Sequence, residues 1–218
     1  MKILRRLIMA IGLGIIFCLI ATIAPVDKTP LNESRYYQLA QQNLDSLNSS
    51  YTLQNSKYFK AGWAKTNITP QYPLPLAGYG ARKGAIVSTV HDSVWARGFV
   101  FDNGFNKSAI ITLDALIIPP AVTETLRILL PEIGYSLDQI FLSATHTHCS
   151  VGGWADSWIG THFAGEYQDE IVSDLANAII TTIKKAETEL VIAKVGYARY
   201  DASPVSYTHL TLPTSDLV

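Results

Sequence analysis

Phe141-Leu-Ser-Ala-Thr-His-Thr-His-Cys-Ser-Val-Gly-Gly-Trp154 is where the reading of this chain turns. An apolar, strand-like run from Ile140 to Ala144 stops at Thr145-His146-Thr147-His148, and the pair Gly152-Gly153 follows. Side chains alternate faces along an extended backbone, so two imidazoles one residue apart fall on the same side. At a strand's end they point together into whatever pocket lies beyond the sheet. That suits two nitrogen ligands for zinc, or one ligand and one substrate-binding group. It equally suits two rings that only hydrogen-bond within a loop, because zinc takes three or four ligands and this pattern offers at most two.

Outward from that turn the pattern alternates between strands and helices. Trp63 to Ile68 reads as a strand stopped by Thr69-Pro70, and Pro73 to Gly84 as a loop punctuated by glycine and proline. Val94 to Phe101 and Ala109 to Leu113 read as strands, joined by a turn at Asp102-Asn103-Gly104. Ala121 to Leu130 has helical spacing. So does Glu166 to Glu187, where Ile171, Leu175, Ala178, Ile179 and Ile183 form one stripe. Val191 to Tyr200 returns to a strand. The order predicts an α/β domain with a mixed sheet and flanking helices, incomplete as a domain and beginning near Ala61.

Composition supports a folded body: of 218 residues, 48% are hydrophobic and 16% charged. A net charge of -1, with no basic run beyond the first six residues, argues against a nucleic-acid partner. Lys2, Arg5 and Arg6 precede Leu7 to Ala24, a stretch without charge. Residues 1–24 therefore read as a signal anchor or signal peptide, preceding an exported body with the N-terminus inside. Cleavage after Thr22-Ile23-Ala24 would leave Pro25 first in the mature chain, which favours an uncleaved anchor. Residues 25–60 read as a stalk carrying one amphipathic helix through Tyr37, Leu39-Ala40, Leu44 and Leu47. Cys18 lies in the apolar segment and Cys149 beside the histidines, so no structural disulfide is expected. Cys149 reads either as a small packed residue or as a thiolate ligand or nucleophile. Residues 204–218 have no cap, period or charged surface and look like translated sequencing adapter. The natural sequence is expected to stop near Ser203, and His209 is not counted as a ligand.

Five motifs in order resemble the N-terminal part of the neutral/alkaline, non-lysosomal ceramidases. They are Ala61-Gly-Trp-Ala-Lys-Thr-Asn-Ile-Thr-Pro70, Leu76-Ala-Gly-Tyr-Gly80, His91-Asp-x-x-Trp-Ala-Arg97, Ile111-Thr-Leu-Asp114 and Ser143-Ala-Thr-His-Thr-His148. The likeness runs from about Ala61 to Tyr200, within an expected catalytic portion 61–203. It implies a zinc amidohydrolase that cleaves the N-acyl bond of ceramide or a related lipid amide through metal-bound water. By the same resemblance His146 is a zinc ligand, and His148 is a catalytic group near the substrate's polar head. Gly78 and Gly80 are turn residues that the resemblance also places near substrate. The family usually continues Ser-Gly-Pro-Gly-Gly where this chain has Cys149-Ser150-Val151-Gly152-Gly153, which puts substrate choice in question. The family's second histidine ligand, its glutamate and tyrosine ligands and its downstream serine have no counterpart here. The chain alone is therefore expected to be an inactive fragment.

Two other functions fit the same fold: an exported, non-catalytic binding domain, and a zinc hydrolase of another amide or ester. His91 reads as a structural histidine paired with Asp92. Arg97 needs a partner inside its strand, and Asp114 is the candidate, unless Asp114 instead orients a metal-bound histidine. His162, Trp154, Trp158 and Phe163 bracket a loop after the histidine pair, and this aromatic cluster reads either as a seat for acyl chains or as domain packing.

Overall fold

The computed structural model describes residues 2–22, 28–50, 56, 58–87 and 89–199, which fall in two compact units, Met1–Gln54 and Asn55–Val218. The expected tail at 204–218 lies outside the described residues.

The first unit holds α1 (Lys2–Thr22) and α2 (Arg35–Ser50). Within α1, Ile3–Thr22 is long and apolar enough to cross a membrane, with a mean hydropathy of 2.3. The chain enters α2 through a single 3-10 turn, Leu31–Glu33, where the buried Ser34 hydroxyl donates to the Leu31 carbonyl at 2.6 Å.

The second unit is built on a five-stranded sheet in the order β6-β5-β4-β1-β7. Its strands are β1 (Lys60–Asn67), β4 (Trp95–Asp102), β5 (Lys107–Leu113), β6 (Ile140–Ala144) and β7 (Val191–Ile192). A separate two-stranded ribbon pairs β2 (Leu74–Pro75) with β3 (Ile86–Val87). The β4–β5 hairpin forms where Asp102-Asn103-Gly104 predicts it. Asp102 Oδ1 accepts the Gly104 N–H at 2.7 Å, and Asn103 Oδ1 accepts those of Phe105 and Asn106 at 3.0 and 2.8 Å.

From β5 the chain crosses through α3 (Pro120–Leu129) to β6, the parallel partner of β5. All other pairs are antiparallel, so the mixed sheet with flanking helices is as the sequence predicts. Parallel pairing brings the carboxyl ends of β5 and β6 to the same edge, with Leu113 opposite Ala144. Ligands of open α/β sheets bind outside such ends.

One face of the sheet carries α5 (Asp169–Thr188), whose buried stripe includes Ile171, Leu175, Ile179 and Ile183. Small residues beneath it let the helix approach closely. A Cβ at Gly62 would stand 2.0 Å from the Ala186 carbonyl oxygen, and one at Gly98 would stand 2.9 Å from Thr182 Cγ2. Thr182, buried in this contact, donates to the Ala178 carbonyl at 2.7 Å and meets the Thr66 hydroxyl at 2.8 Å. Val122, Leu126 and Leu130 from α3 and the turn after it join the same core. The opposite face carries a row in register: Trp63 beside Phe99, Phe99 beside Ile110, Ile110 beside Phe141. These four side chains are 61%, 50%, 42% and 65% exposed.

Two expectations are corrected. The strand predicted for Val191 to Tyr200 is only Val191–Ile192, and residues 193–199 are not in a strand. The cause is register. Ile192 pairs with Lys60 at the very start of antiparallel β1, so the chain runs off its end after one more bond, Ala193 N–H to the Phe59 carbonyl. Second, the segment after the glycine pair, read as loop, contains α4 (Trp158–Ala164), capped by Ser157 Oγ accepting the Gly160 N–H at 3.1 Å.

Candidate active site at the carboxyl ends of β5 and β6

The last ladder bond at this edge runs from Thr145 N–H to the Leu113 carbonyl at 3.0 Å. His146 then takes a left-handed backbone, φ 58, which costs a non-glycine residue about 1–2 kcal/mol. The two rings do converge, with Nε2 atoms 3.4 Å apart and planes at 77°. Strand alternation is not the reason, because β6 has already ended at Ala144. The left-handed turn swings His146 back to the Leu116 carbonyl, 2.8 Å from its Nδ1.

Tautomers follow from the partners. A carbonyl can only accept, so His146 carries a proton on Nδ1 and, when neutral, a lone pair on Nε2. A backbone N–H can only donate, so Tyr79 N–H, 3.3 Å from His148 Nδ1, makes that nitrogen the acceptor. Neutral His148 then holds its proton on Nε2 and directs it at His146 Nε2. The result is a one-way chain: Tyr79 N–H to His148, His148 to His146, His146 to the Leu116 carbonyl.

Two loops are zipped together to hold this pair. Ala77 N–H donates to the Ser150 carbonyl at 3.0 Å, Gly152 N–H to Pro75 at 2.7 Å, and Gly78 N–H to Phe163 at 2.7 Å. A Cβ at Gly152 would lie 2.3 Å from the Ala164 oxygen and 2.7 Å from the Pro75 oxygen, so only glycine fits the crossing. Gly78, at φ 92, lies under the His148 ring, where a Cβ would stand 2.5 Å from Nδ1. Gly80 begins a 3-10 turn and faces open space.

The other singled-out residues sit elsewhere. Asp114 accepts from Arg97 Nη1 at 2.6 Å and from Trp95 N–H at 3.0 Å, pinning the ends of β4 and β5. The group that orients His146 is therefore the Leu116 carbonyl. His91 is exposed and pairs with Asp92 at 2.9 Å. Trp154 is buried and packs edge-on against Phe163 at 6.4 Å, whereas Trp158 is exposed on α4. Both cysteines are free and exposed. Thr145 and Thr147, which alternate with the histidines, line a cavity of about 660 Å³ together with Cys149, His91, Asp92 and Asp114. Sequence reasoning missed Leu116 and Tyr79 as partners of the histidines. Leu116 acts through its backbone and leaves no residue signal, while Tyr79 was visible only as part of Leu76-Ala-Gly-Tyr-Gly80.

A neutral imidazole whose Nδ1–H is held by a carbonyl, leaving the lone pair on Nε2, is the form in which histidine binds metal. His146 fits one corner of a zinc site. Among the described residues no group of three or more His, Cys, Asp or Glu side chains is placed to complete it.

The histidine pair thus stands at the carboxyl edge of a parallel β-pair, covered by a glycine-punctuated loop, in an α/β domain. Residues 59–207 match the family described as neutral/alkaline non-lysosomal ceramidase, N-terminal, and the chain belongs to that family. Neutral ceramidase A from Dictyostelium discoideum is 25% identical over 175 residues, covering 74% of this chain and 24% of that protein. The crystal structure of neutral ceramidase from Pseudomonas aeruginosa superposes with a TM-score of 0.56 at 22% identity, over 63% of this chain and 22% of that one. A ceramidase complexed with C2 gives a TM-score of 0.54 at 23% identity, over 61% of this chain and 22% of that one. The chain thus spans about a quarter of the length of the relatives it matches.

Proposed function

We propose that this chain is the N-terminal part of a zinc-dependent amidohydrolase that cleaves the N-acyl bond of ceramide or a related lipid amide. The observation that carries the reading is the tautomer order at the histidine pair, which leaves a lone pair on His146 Nε2 and a proton on His148 Nε2. His146 would hold the metal, its ring kept in place by the Leu116 carbonyl. Zinc supplies Lewis-acid chemistry at neutral pH. His148 Nε2–H lies beside the same point and donates to substrate oxygen as negative charge gathers there, the electrostatic role of an oxyanion donor. Gly80 faces open space, so substrate can approach its backbone closely, and Gly78 serves by seating His148.

Zinc needs ligands beyond His146, so the active enzyme draws them from polypeptide outside the described residues, and the present chain is inactive alone. The apolar α1 anchors the body at a membrane, with the N-terminus inside and residues 61–203 exported. That location suits a lipid substrate.

The test is metal analysis and hydrolysis of a fluorescent short-chain ceramide by a version extended to the length of the relatives. One zinc per chain is expected, and His146→Ala should lose it together with at least about 1,000-fold in kcat/KM, roughly 4 kcal/mol. His148→Gln should keep zinc and lose about 100-fold or more. An extended protein that holds no stoichiometric zinc would sink the reading. Zinc retained in the His146→Ala variant would remove the role given to His146.

A further inference from the structure

We propose that Arg82 is a positioning residue that sets the tautomer of His148 through Tyr79. The guanidinium makes two contacts at once: Nη2 donates to the His148 backbone carbonyl, and the group lies over the Tyr79 ring, 4.6 Å from its centre. Tyr79 stacks in turn against the His148 imidazole, with centroids 4.5 Å apart, and supplies the N–H that His148 Nδ1 accepts. Arg82 therefore grips both partners of the bond that keeps the His148 proton off Nδ1.

Backbone geometry shows that the grip works against a cost. Tyr79 sits at φ 47 and Lys83 at φ 51, both left-handed and both non-glycine. Such residues persist only where surrounding contacts over-determine them. Left alone, the loop from Gly78 to Lys83 would relax toward ordinary backbone angles and turn the Tyr79 N–H away from the imidazole. His148 is held from below by Gly78, but that contact is steric and does not choose a tautomer. The Tyr79 N–H chooses it from the Nδ1 side, and His146 Nε2, an acceptor because the Leu116 carbonyl holds its Nδ1 proton, favours the same tautomer from the other side. A planar fork that can bond a carbonyl and stack on an aromatic face at the same time is a property of arginine, not lysine.

The consequence for catalysis rests on the ceramidase-like reading above, but the clamp itself does not, and the experiment keeps the two apart. The whole chain, in detergent micelles with chelator present, is labelled with 15N-histidine, and the ring nitrogens of its five histidines are assigned with single substitutions at His91, His146, His162 and His209, which leaves His148. Wild-type His148 should show protonated Nε2 and unprotonated Nδ1; His146 should show the reverse. In Arg82→Gln the His148 tautomer ratio should move by about fivefold, the worth of one hydrogen bond of about 1 kcal/mol, while His146 stays unchanged on its Leu116 carbonyl. An unchanged His148 signature in Arg82→Gln overturns the proposal. So does a joint shift of His146 and His148, which would mean that Arg82 supports the loops generally instead of acting through Tyr79. Zinc does not enter either outcome.

Discussion

The two faces of the five-stranded sheet are made from the same strands and behave as opposites. Under α5, glycines and alanines alternate with a few large side chains, and the helix comes close enough that an added methyl at Gly62 or Gly98 would collide. On the other face, Trp63, Phe99, Ile110 and Phe141 lie side by side across four strands with nothing over them among the described residues. The packed face spends its apolar residues on one close helix. The open one gathers a continuous apolar strip of the kind that a soluble surface normally avoids. Residue size thus tells the faces apart: small where a neighbour is present, large where none is.

The sharpest way to break this contrast is a matched pair of truncations. Ile179→Ala, beneath the helix and fully buried, should cost about 3–4 kcal/mol, read as a lower urea midpoint. Phe99→Ala on the open face should cost less than about 1 kcal/mol in the same assay. An equal loss at the two sites would mean that Phe99 has a partner. Next in size is Gly62→Ala, expected to destabilise by about 2–3 kcal/mol because its Cβ meets backbone that cannot turn aside. Smaller again is the double change Trp63→Ser with Phe99→Ser. Stability should stay within about 1 kcal/mol, and self-association in sedimentation velocity should fall.

The smallest effect concerns pH at the edge of the covered face, where Lys107 Nζ reaches Glu187 at 2.7 Å and the Tyr135 hydroxyl donates to the same carboxylate at 3.1 Å. The hydrogen bond to Glu187 raises the Lys107 ammonium above its usual range, with burial opposing. Burial, then the Glu187 charge, raises the Tyr135 phenol strongly. Both folded values lie above the unfolded ones, so the stability they contribute is complete below about pH 10 and fades as pH rises through the folded values. Alkaline unfolding monitored above about pH 10 should begin earlier in wild type than in a Tyr135→Phe variant, which has no phenol to ionise.

The packed face was the more legible one in the sequence. The stripe through Ile171, Leu175, Ile179 and Ile183 has helical period, and Asp102-Asn103-Gly104 names its own turn. The early end of the strand after Val191 was not legible, because only the register of β1 shows that its partner has run out. The histidine pair was legible as a pair, yet the physical reason was not. Alternation along a strand would have aligned the rings, whereas the actual cause is a left-handed residue at His146 caught by a backbone carbonyl. Tertiary contacts made by main-chain atoms write nothing into residue identity. α4 was missed despite its cap at Ser157, because seven residues are too few to show a period.

Register also sets an order of assembly. The β4–β5 hairpin joins neighbours in sequence and can close within microseconds. β6 must wait for the α3 crossover, and β7 reaches β1 only after α5 has been made. During synthesis on the ribosome, β1, β4 and β5 therefore exist for a time as a ribbon with large aromatics on one side and smaller residues with Val100, Ile111 and Leu113 on the other. A chaperone meeting that ribbon would find apolar surface on both sides, and the arrival of α5 covers one and leaves the other as it was.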